Sequence, residues 1–342
     1  MGRTALAIGL LADPQYASTI ADRTSPDQDG GEDRVQRFRS AKDSTRQALA
    51  RMSTCAAVVQ LGDIIQSDDA QSTAEIKADL DTMCRVFDAF EAPVLHTLGN
   101  HCIGRLDRGT VCEKLGIPKP RWMRLLPSFA LRALSSSRPS SYYARKISES
   151  WTIIVLDTTE LSGHGGFEPS SRQARESATY LSNHPVDKEP HMIPWNGGCT
   201  QRQLDWLKDQ LQKAVKRGTL VILASHHPIH PEAARRTHLA WNYAEILAIA
   251  SACPAVRLVI SGHDHVGGAS RQSCRGGIRQ IYMTLPAILE ADVDSTEYLV
   301  LNLDELERRT DQRSAETPRH DNGNLVLAGG GKATRLFSRV AP

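Results

Sequence analysis

Val221-Ile222-Leu223-Ala224 is an apolar run that halts at Ser225-His226-His227. Four other runs halt in the same manner. Ala5–Leu11 leads to Asp13-Pro14-Gln15, Ala56–Leu61 to Gly62-Asp63, Pro93–Leu98 to Gly99-Asn100-His101, and Val256–Ile260 to Gly262-His263-Asp264-His265. Short runs of this kind read as buried strands. Apolar residues recur at helical spacing between the first three: Val35, Phe38, Ala41 and Leu49 within 34–52, then Ile76, Leu80, Met83 and Phe87 within 70–90. The order β-α-β-α-β predicts parallel pairings with right-handed crossovers. Crossovers of that hand return each strand to the same edge of the sheet, so the polar residues at the strand ends converge.

The second half repeats this layout. Tyr142–Ile147 and Trp151–Leu156 read as a hairpin. Thr200-Gln201-Arg202-Gln203 fits a capping box, and Leu204, Leu207, Leu211 and Val215 form one face of the helix after it. A helix is expected around Trp241–Ala252, and further strands at Gln280–Leu285 and Tyr298–Leu303. Residues 160–199 show no sustained period and read as a long functional or mobile connection. We expect one domain over residues 1–305, with insertions near 18–33 and 118–140. The basic and apolar 121–134 stretch reads as a surface helix, with a lid or a membrane-surface patch as alternatives. Residues 306–342 form a C-terminal extension with charged, irregular 306–325 and a terminal pairing of Asn324–Ala328 with Thr334–Val340.

Composition excludes several classes. A net charge of +2 offers no concentrated basic face for nucleic acid. Seven scattered cysteines, odd in number and without a C-x-x-C, argue against a disulfide framework and for a reducing compartment. No apolar run is long enough to cross a bilayer, and the first run meets Asp13 where a signal peptide would carry a cleavage site. A cytoplasmic protein is expected, and no protein partner can be inferred.

Taken singly, each polar strand end has a plain structural explanation: Asp13 or Asp63 can brace a turn, Asn100 tolerates a left-handed backbone, and an isolated His226 can be a satisfied loop histidine. Together they are D-x-Q, G-D, G-N-H, H and G-H-x-H, in that order. They supply two carboxylates, two amide oxygens and three imidazoles, with His101 in addition. That donor set suits two divalent first-row metals sharing one carboxylate, an arrangement that clamps displacement at phosphorus.

This pattern resembles the calcineurin-like metallophosphoesterase superfamily over most of the chain. The resemblance implies a four-layer α/β/β/α sandwich of two mixed sheets. It places Asp13, Gln15, Asp63 and His265 on one metal and Asp63, Asn100, His226 and His263 on the other, with a hydroxide between the metals as nucleophile. It gives His101 a catalytic role beside the phosphate. Gln15 stands where most of the superfamily has histidine. Its hard amide oxygen favours Mn2+, with Mg2+, Fe or Zn as alternatives. D-x-Q, Trp195-Asn196-Gly197-Gly198-Cys199-Thr200-Gln201, Ser225-His226-His227-Pro228-Ile229-His230-Pro231 and Leu239-Ala240-Trp241-Asn242-Tyr243 resemble the manganese-dependent ADP-ribose/CDP-alcohol diphosphatase branch. The segments near 18–33 and 118–140 depart from it.

The resemblance implies hydrolysis of the pyrophosphate in small nucleoside diphosphate-linked compounds such as ADP-ribose and CDP-alcohols. A cyclic-nucleotide or other phosphodiesterase using the same site is the alternative. A non-catalytic scaffold on this fold would have lost ligands or the G-N-H histidine, and the chain keeps both. Trp195, Asn196, Gly197 and Gly198 read either as a tight turn before the capped helix or, by the branch resemblance, as a loop contacting the nucleotide. His227, His238 and the remaining histidines carry no assigned role.

Overall fold

The computed structural model describes residues 6–20, 31–67, 69–117, 141–274, 278–290 and 298–311. In chain order the elements are β1 (Ala7–Leu11), α1 (Gly31–Arg51), β2 (Ala57–Gln60), α2 (Thr73–Asp88), β3 (Val94–His96), α3 (Asn100–Ile103) and α4 (Arg108–Lys114). The second half carries β4 (Tyr143–Lys146), β5 (Trp151–Val155), β6 (Leu161–Ser162), α5 (Arg172–Asn183), β7 (Gly197–Gly198), α6 (Gln201–Arg217) and β8 (Leu220–Ala224). It ends with α7 (Tyr243–Ser251), β9 (Val256–Ser261), β10 (Gly268–Cys274), β11 (Ile278–Thr284), β12 (Leu299–Asn302) and α8 (Leu303–Thr310).

Two mixed sheets result. One runs β12-β1-β2-β3, with β1, β2 and β3 parallel and β12 antiparallel to β1. The other runs β10-β11-β9-β8-β5-β4, parallel from β11 through β5 and antiparallel at both edges. Residue parity explains how they stack, because successive side chains on a strand point to opposite faces. Ile153, Val155, Ile222, Ala224, Leu258, Ile260, Ile281 and Met283 join the core shared with Ile8, Leu10 and Val58 of the other sheet. Their neighbours Ile154, Leu156, Val221, Leu223, Val259 and Tyr282 face outward, onto Leu204, Leu207 and Leu211 of α6 and Ile246 and Ala250 of α7. Ile76, Leu80 and Met83 of α2, Leu49 of α1 and Met52 just after it cover the first sheet. The layers are therefore α/β/β/α, as the resemblance led us to expect.

Several local expectations change. Residues 160–199 contain α5, capped by Ser171, whose side chain accepts from the Ala174 amide. Ser177 is its one buried residue, so the helix has no apolar period to read. β10 was not foreseen because Gly-Ala-Ser-Arg-Gln-Ser-Cys contains no β-branched or aromatic residue, which an edge strand tolerates. Residues 303–310 form α8 where the end of a strand and an irregular segment were expected. Asn302 caps it, and Leu303, Leu306 and Thr310 are its buried face. The helix crosses position 305. The extension after residue 311, the 21–30 part of the first insertion and the whole of 118–140 lie outside the described residues.

The capping box at Thr200 is half realised. Thr200 accepts from the Gln203 amide, but the Gln203 side chain turns away to Asp157 and Glu160. There it takes the Asp157 amide and donates to the Asp157 carbonyl, closing off the end of β5. Val215 is exposed, and Ala214 takes its place on the buried face of α6. Among the described residues, no helix is long and apolar enough to cross a membrane.

Candidate functional site

All five polar strand ends meet at one edge of the sandwich. The loops after β1 and β2 run side by side there: Gln15 N donates to Asp63 O at 2.8 Å and Tyr16 N to Ile64 O at 3.0 Å. Asp13, Gln15, Asp63, Asn100, His226 and His263 are all buried, whereas His101 and His265 are half-buried.

The centre is a convergence on Nε2 of His226. Asn100 Oδ1 lies 3.0 Å from it, His263 Nδ1 3.1 Å and Asp63 Oδ2 3.3 Å. The other His226 nitrogen, Nδ1, is 2.8 Å from the Leu61 carbonyl, which can only accept, so Nδ1 carries a hydrogen there. A neutral His226 would then turn a bare lone pair toward two oxygens and a second imidazole. Asp13 adds a further acceptor. Its Oδ2 takes the His263 amide at 2.9 Å, while its Oδ1 is buried with no hydrogen-bond partner. Ligand atoms of Asp13, Asp63 and His226 lie within 4.8 Å of one another. Buried acceptors without donors are costly, and a cation is what satisfies such a set. The residues present therefore fit divalent metal.

With no cation bound, a proton on His226 performs that task. Burial opposes it, but Asp63 first and Asp13 after it raise the imidazole to about 9. The two carboxylates respond differently. Burial pushes Asp13 up to about 6, against the pull of His226. Asp63 feels the same burial, but His226 and His101 outweigh it and hold the carboxylate well below the usual range. Contact explains the difference, since Asp63 lies 3.3 Å from His226 and also accepts the His101 amide at 2.9 Å, whereas Asp13 is 3.9 Å from His226. His263 stays neutral because burial, followed by the charges of the other histidines, drives it well below its ordinary value.

Backbone strain concentrates here. Among the described residues, five non-glycine residues have positive φ, and four are Asp13 (50°), Gln15 (47°), Asp63 (48°) and His263 (68°). Each costs about 1–3 kcal/mol and persists where the surroundings over-determine it. Asn100 is not left-handed but opens α3 with Gly99 as its cap. The motif glycines have a steric origin. A Cβ on Gly62 would strike the His226 ring, one on Gly99 the Asp63 carboxylate, and one on Gly262 Oδ2 of Asp13. Each glycine thus makes room for the polar side chain of a different strand end.

Residues 7–267 match the family model for calcineurin-like phosphoesterases. The chain belongs to that family. It is 30% identical over 253 residues to a mouse (Mus musculus) protein named manganese-dependent ADP-ribose/CDP-alcohol diphosphatase, covering 70% of this chain and 71% of that one. A protein of the same name from Danio rerio is 29% identical over 306 residues, covering 82% and 87%. The crystal structure of a dimetal phosphatase from Danio rerio superposes with a TM-score of 0.68 at 26% identity, over 86% of this chain and 92% of that one. Family membership makes this phosphoesterase a metal-dependent hydrolase of phosphate esters, and the overall fold agrees with it.

The remaining sequence-predicted residues are placed as follows. His101 anchors its ring through Nδ1, 2.8 Å from the Gln66 carbonyl. His265 Nδ1 is 3.1 Å from Glu290, whose other oxygen meets Arg37 of α1 at 3.3 Å. Trp195 is half-buried, its ring 5.2 Å from that of His263 and 5.1 Å from that of His238. Gly197 and Gly198 are buried, paired with Ser162 and Leu161. A Cβ on Gly197 would strike Thr158 O and one on Gly198 Asn242 Oδ1, so both glycines allow close packing of the protein on itself. Asn196 is fully buried, and its side chain is hydrogen-bonded to His191, Thr237 and His263.

Sequence reasoning missed His227, Thr158 and Glu290. His227 is fully buried against the rings of His263 and His226, and Thr158 Oγ1 lies 2.8 Å from its Nδ1. Its position directly after His226 was the available signal; nothing in the sequence marks Glu290.

Two outcomes follow from this geometry. Gly99→Ala should displace the Asp63 carboxylate and lower activity at least tenfold while far-UV circular dichroism is retained; full activity would contradict the steric argument. In metal-free protein, the folded His226 value of about 9 exceeds the ordinary 6.5. Its stabilisation is therefore complete below about pH 6.5 and lost as the pH climbs through about 9. The Tm of wild type minus that of His226→Gln, in EDTA, should shrink between about pH 6 and about pH 10. A constant difference would refute the assignment of the buried charge.

Proposed function

We propose that this chain hydrolyses the pyrophosphate of small nucleoside diphosphate-linked compounds, such as ADP-ribose and CDP-alcohols, to two monophosphates, using two divalent cations. The observation that carries the reading is the buried set of acceptors crowded on Nε2 of His226, together with the unpartnered Oδ1 of Asp13. Asp13, Gln15, Asp63 and His265 would hold one cation, and Asp63, Asn100, His226 and His263 the other, with Asp63 shared. The relatives' names support manganese, and so does an amide oxygen at Gln15 in place of an imidazole. When bound, the cations supply Lewis acidity toward a phosphate oxygen and activate water as a nucleophile.

The side chains of this protein do the remainder. The His101 amide fixes Oδ1 of the shared carboxylate. Its ring donates from Nδ1 to the Gln66 carbonyl, so Nε2 is the atom that gives a proton to the leaving phosphate oxygen when the ring is an imidazolium. Trp195 presents a half-buried aromatic surface beside His263, where a nucleobase can stack.

EDTA-treated protein reloaded with Mn2+ should convert ADP-ribose to AMP and ribose 5-phosphate, and CDP-choline to CMP and phosphocholine, as read by chromatography. Hydrolysis of cyclic nucleotides alone would defeat the proposal. In the same assay Trp195→Ala should raise KM for ADP-ribose about tenfold, and by far less for bis(p-nitrophenyl) phosphate, which has no base. His101→Ala should lower kcat by roughly a hundredfold with Mn2+ affinity unchanged by calorimetry; wild-type turnover would remove it from the mechanism.

A further inference from the structure

We propose that Asn196 is a positioning residue that dictates which nitrogen His263 turns toward the centre. The inference rests on the dinuclear reading for its functional meaning, but its evidence is the hydrogen-bond chemistry of two side chains.

A carboxamide has an acceptor end and a donor end, and assigning them requires the whole network. Asn196 Nδ2 lies 2.8 Å from the His191 carbonyl and 2.8 Å from the Thr237 carbonyl. Both partners are acceptors, so both hydrogens of the amide are committed. Turning the group over would forfeit two hydrogen bonds and set its oxygen against two others. Oδ1 must therefore face His263, whose Nε2 is 2.7 Å away. An oxygen in that position can only accept, so Nε2 of His263 bears the hydrogen. A neutral imidazole has one N–H, which leaves Nδ1 bare, 3.1 Å from Nε2 of His226.

The other two histidines of the centre are held the opposite way round. Leu61 O fixes Nδ1–H of His226, and Glu290 faces Nδ1 of His265. His226 thus directs Nε2 inward, and in His265 Nε2 is the nitrogen that does not face Glu290. His263 lies on a left-handed backbone, φ 68°, and needs a partner on the other side of its ring. Asn196 can serve because its own backbone is pinned: its amide donates to Ile193 O at 2.9 Å, and its carbonyl accepts from Ser162 Oγ at 2.8 Å. Gly197, lacking a Cβ, lets the chain press against Thr158 and Ser162 at that point. The N-G-G stretch thus holds a ligand side chain from behind.

The decisive measurement is long-range 1H–15N NMR of metal-free protein labelled with 15N-histidine, with His263 assigned from the resonance missing in His263→Gln. Wild type should show a protonated Nε2 and a bare Nδ1 at His263; the reverse tautomer overturns the proposal. Asn196→Ala should mix the tautomers and weaken Mn2+ binding by about 10–100-fold in calorimetry. Asn196→Asp loses both donors to His191 and Thr237, as alanine does, but keeps the acceptor, so it should restore the wild-type tautomer. If alanine leaves the tautomer and the Mn2+ affinity unchanged, or if aspartate fails exactly as alanine does, Asn196 has no directing role. A wild-type protein with the expected tautomer but no Mn2+ binding would reject the dinuclear reading and leave the hold of Asn196 on the ring standing.

Discussion

The structure depends on an electrostatic debt at its sheet edge. Asp13, Asp63, Asn100 and His263 turn acceptors toward His226, in buried surroundings. Beyond the His101 and His263 amides and a long contact from Gln15, the chain answers them with one proton on an imidazole. The two sheets, stacked through an apolar core, hold these groups together. Apolar packing, which has no chemical preference of its own, is thereby converted into an affinity for positive charge.

A second ring of contacts determines how the donors point. Leu61 O, Glu290 and Asn196 each engage the outward nitrogen of one histidine. Arg37 reaches Glu290 from α1, so even a helix on the outer face of the first sheet bears on His265. His227 fills the space behind His226 and His263 with a ring whose nitrogens face Thr158 Oγ1 and Trp195 O. These are orienting contacts of the kind that tune metal sites, drawn here from widely separated parts of the chain.

Much of the sandwich was legible because its strands are buried on both faces and therefore read as unbroken apolar runs. The candidate site residues were legible because they stand where those runs stop. What escaped notice lacks any such contrast. β10 is a small-residue edge strand, α5 buries one serine, and Gln203 looks like half of a capping box until its side chain is seen closing β5. Left-handed φ values at Asp13, Gln15, Asp63 and His263 leave no periodic trace. Asn196 was visible before its two glycines, but its contact with His263, like that of His265 with Glu290, is fixed by tertiary structure and has no local signature.

The glycines of the three G-containing motifs lead to a further consequence. Gly62 accommodates His226, Gly99 accommodates Asp63, and Gly262 accommodates Asp13. No motif is self-sufficient, since the small residue in each answers to a side chain supplied by another. Substitutions at this edge are therefore not independent trials. A chain drifting away from this centre can lose a ligand and then relax its distant glycine, but a chain rebuilding it must restore the glycine first. The route out is open one residue at a time, while the route back is gated.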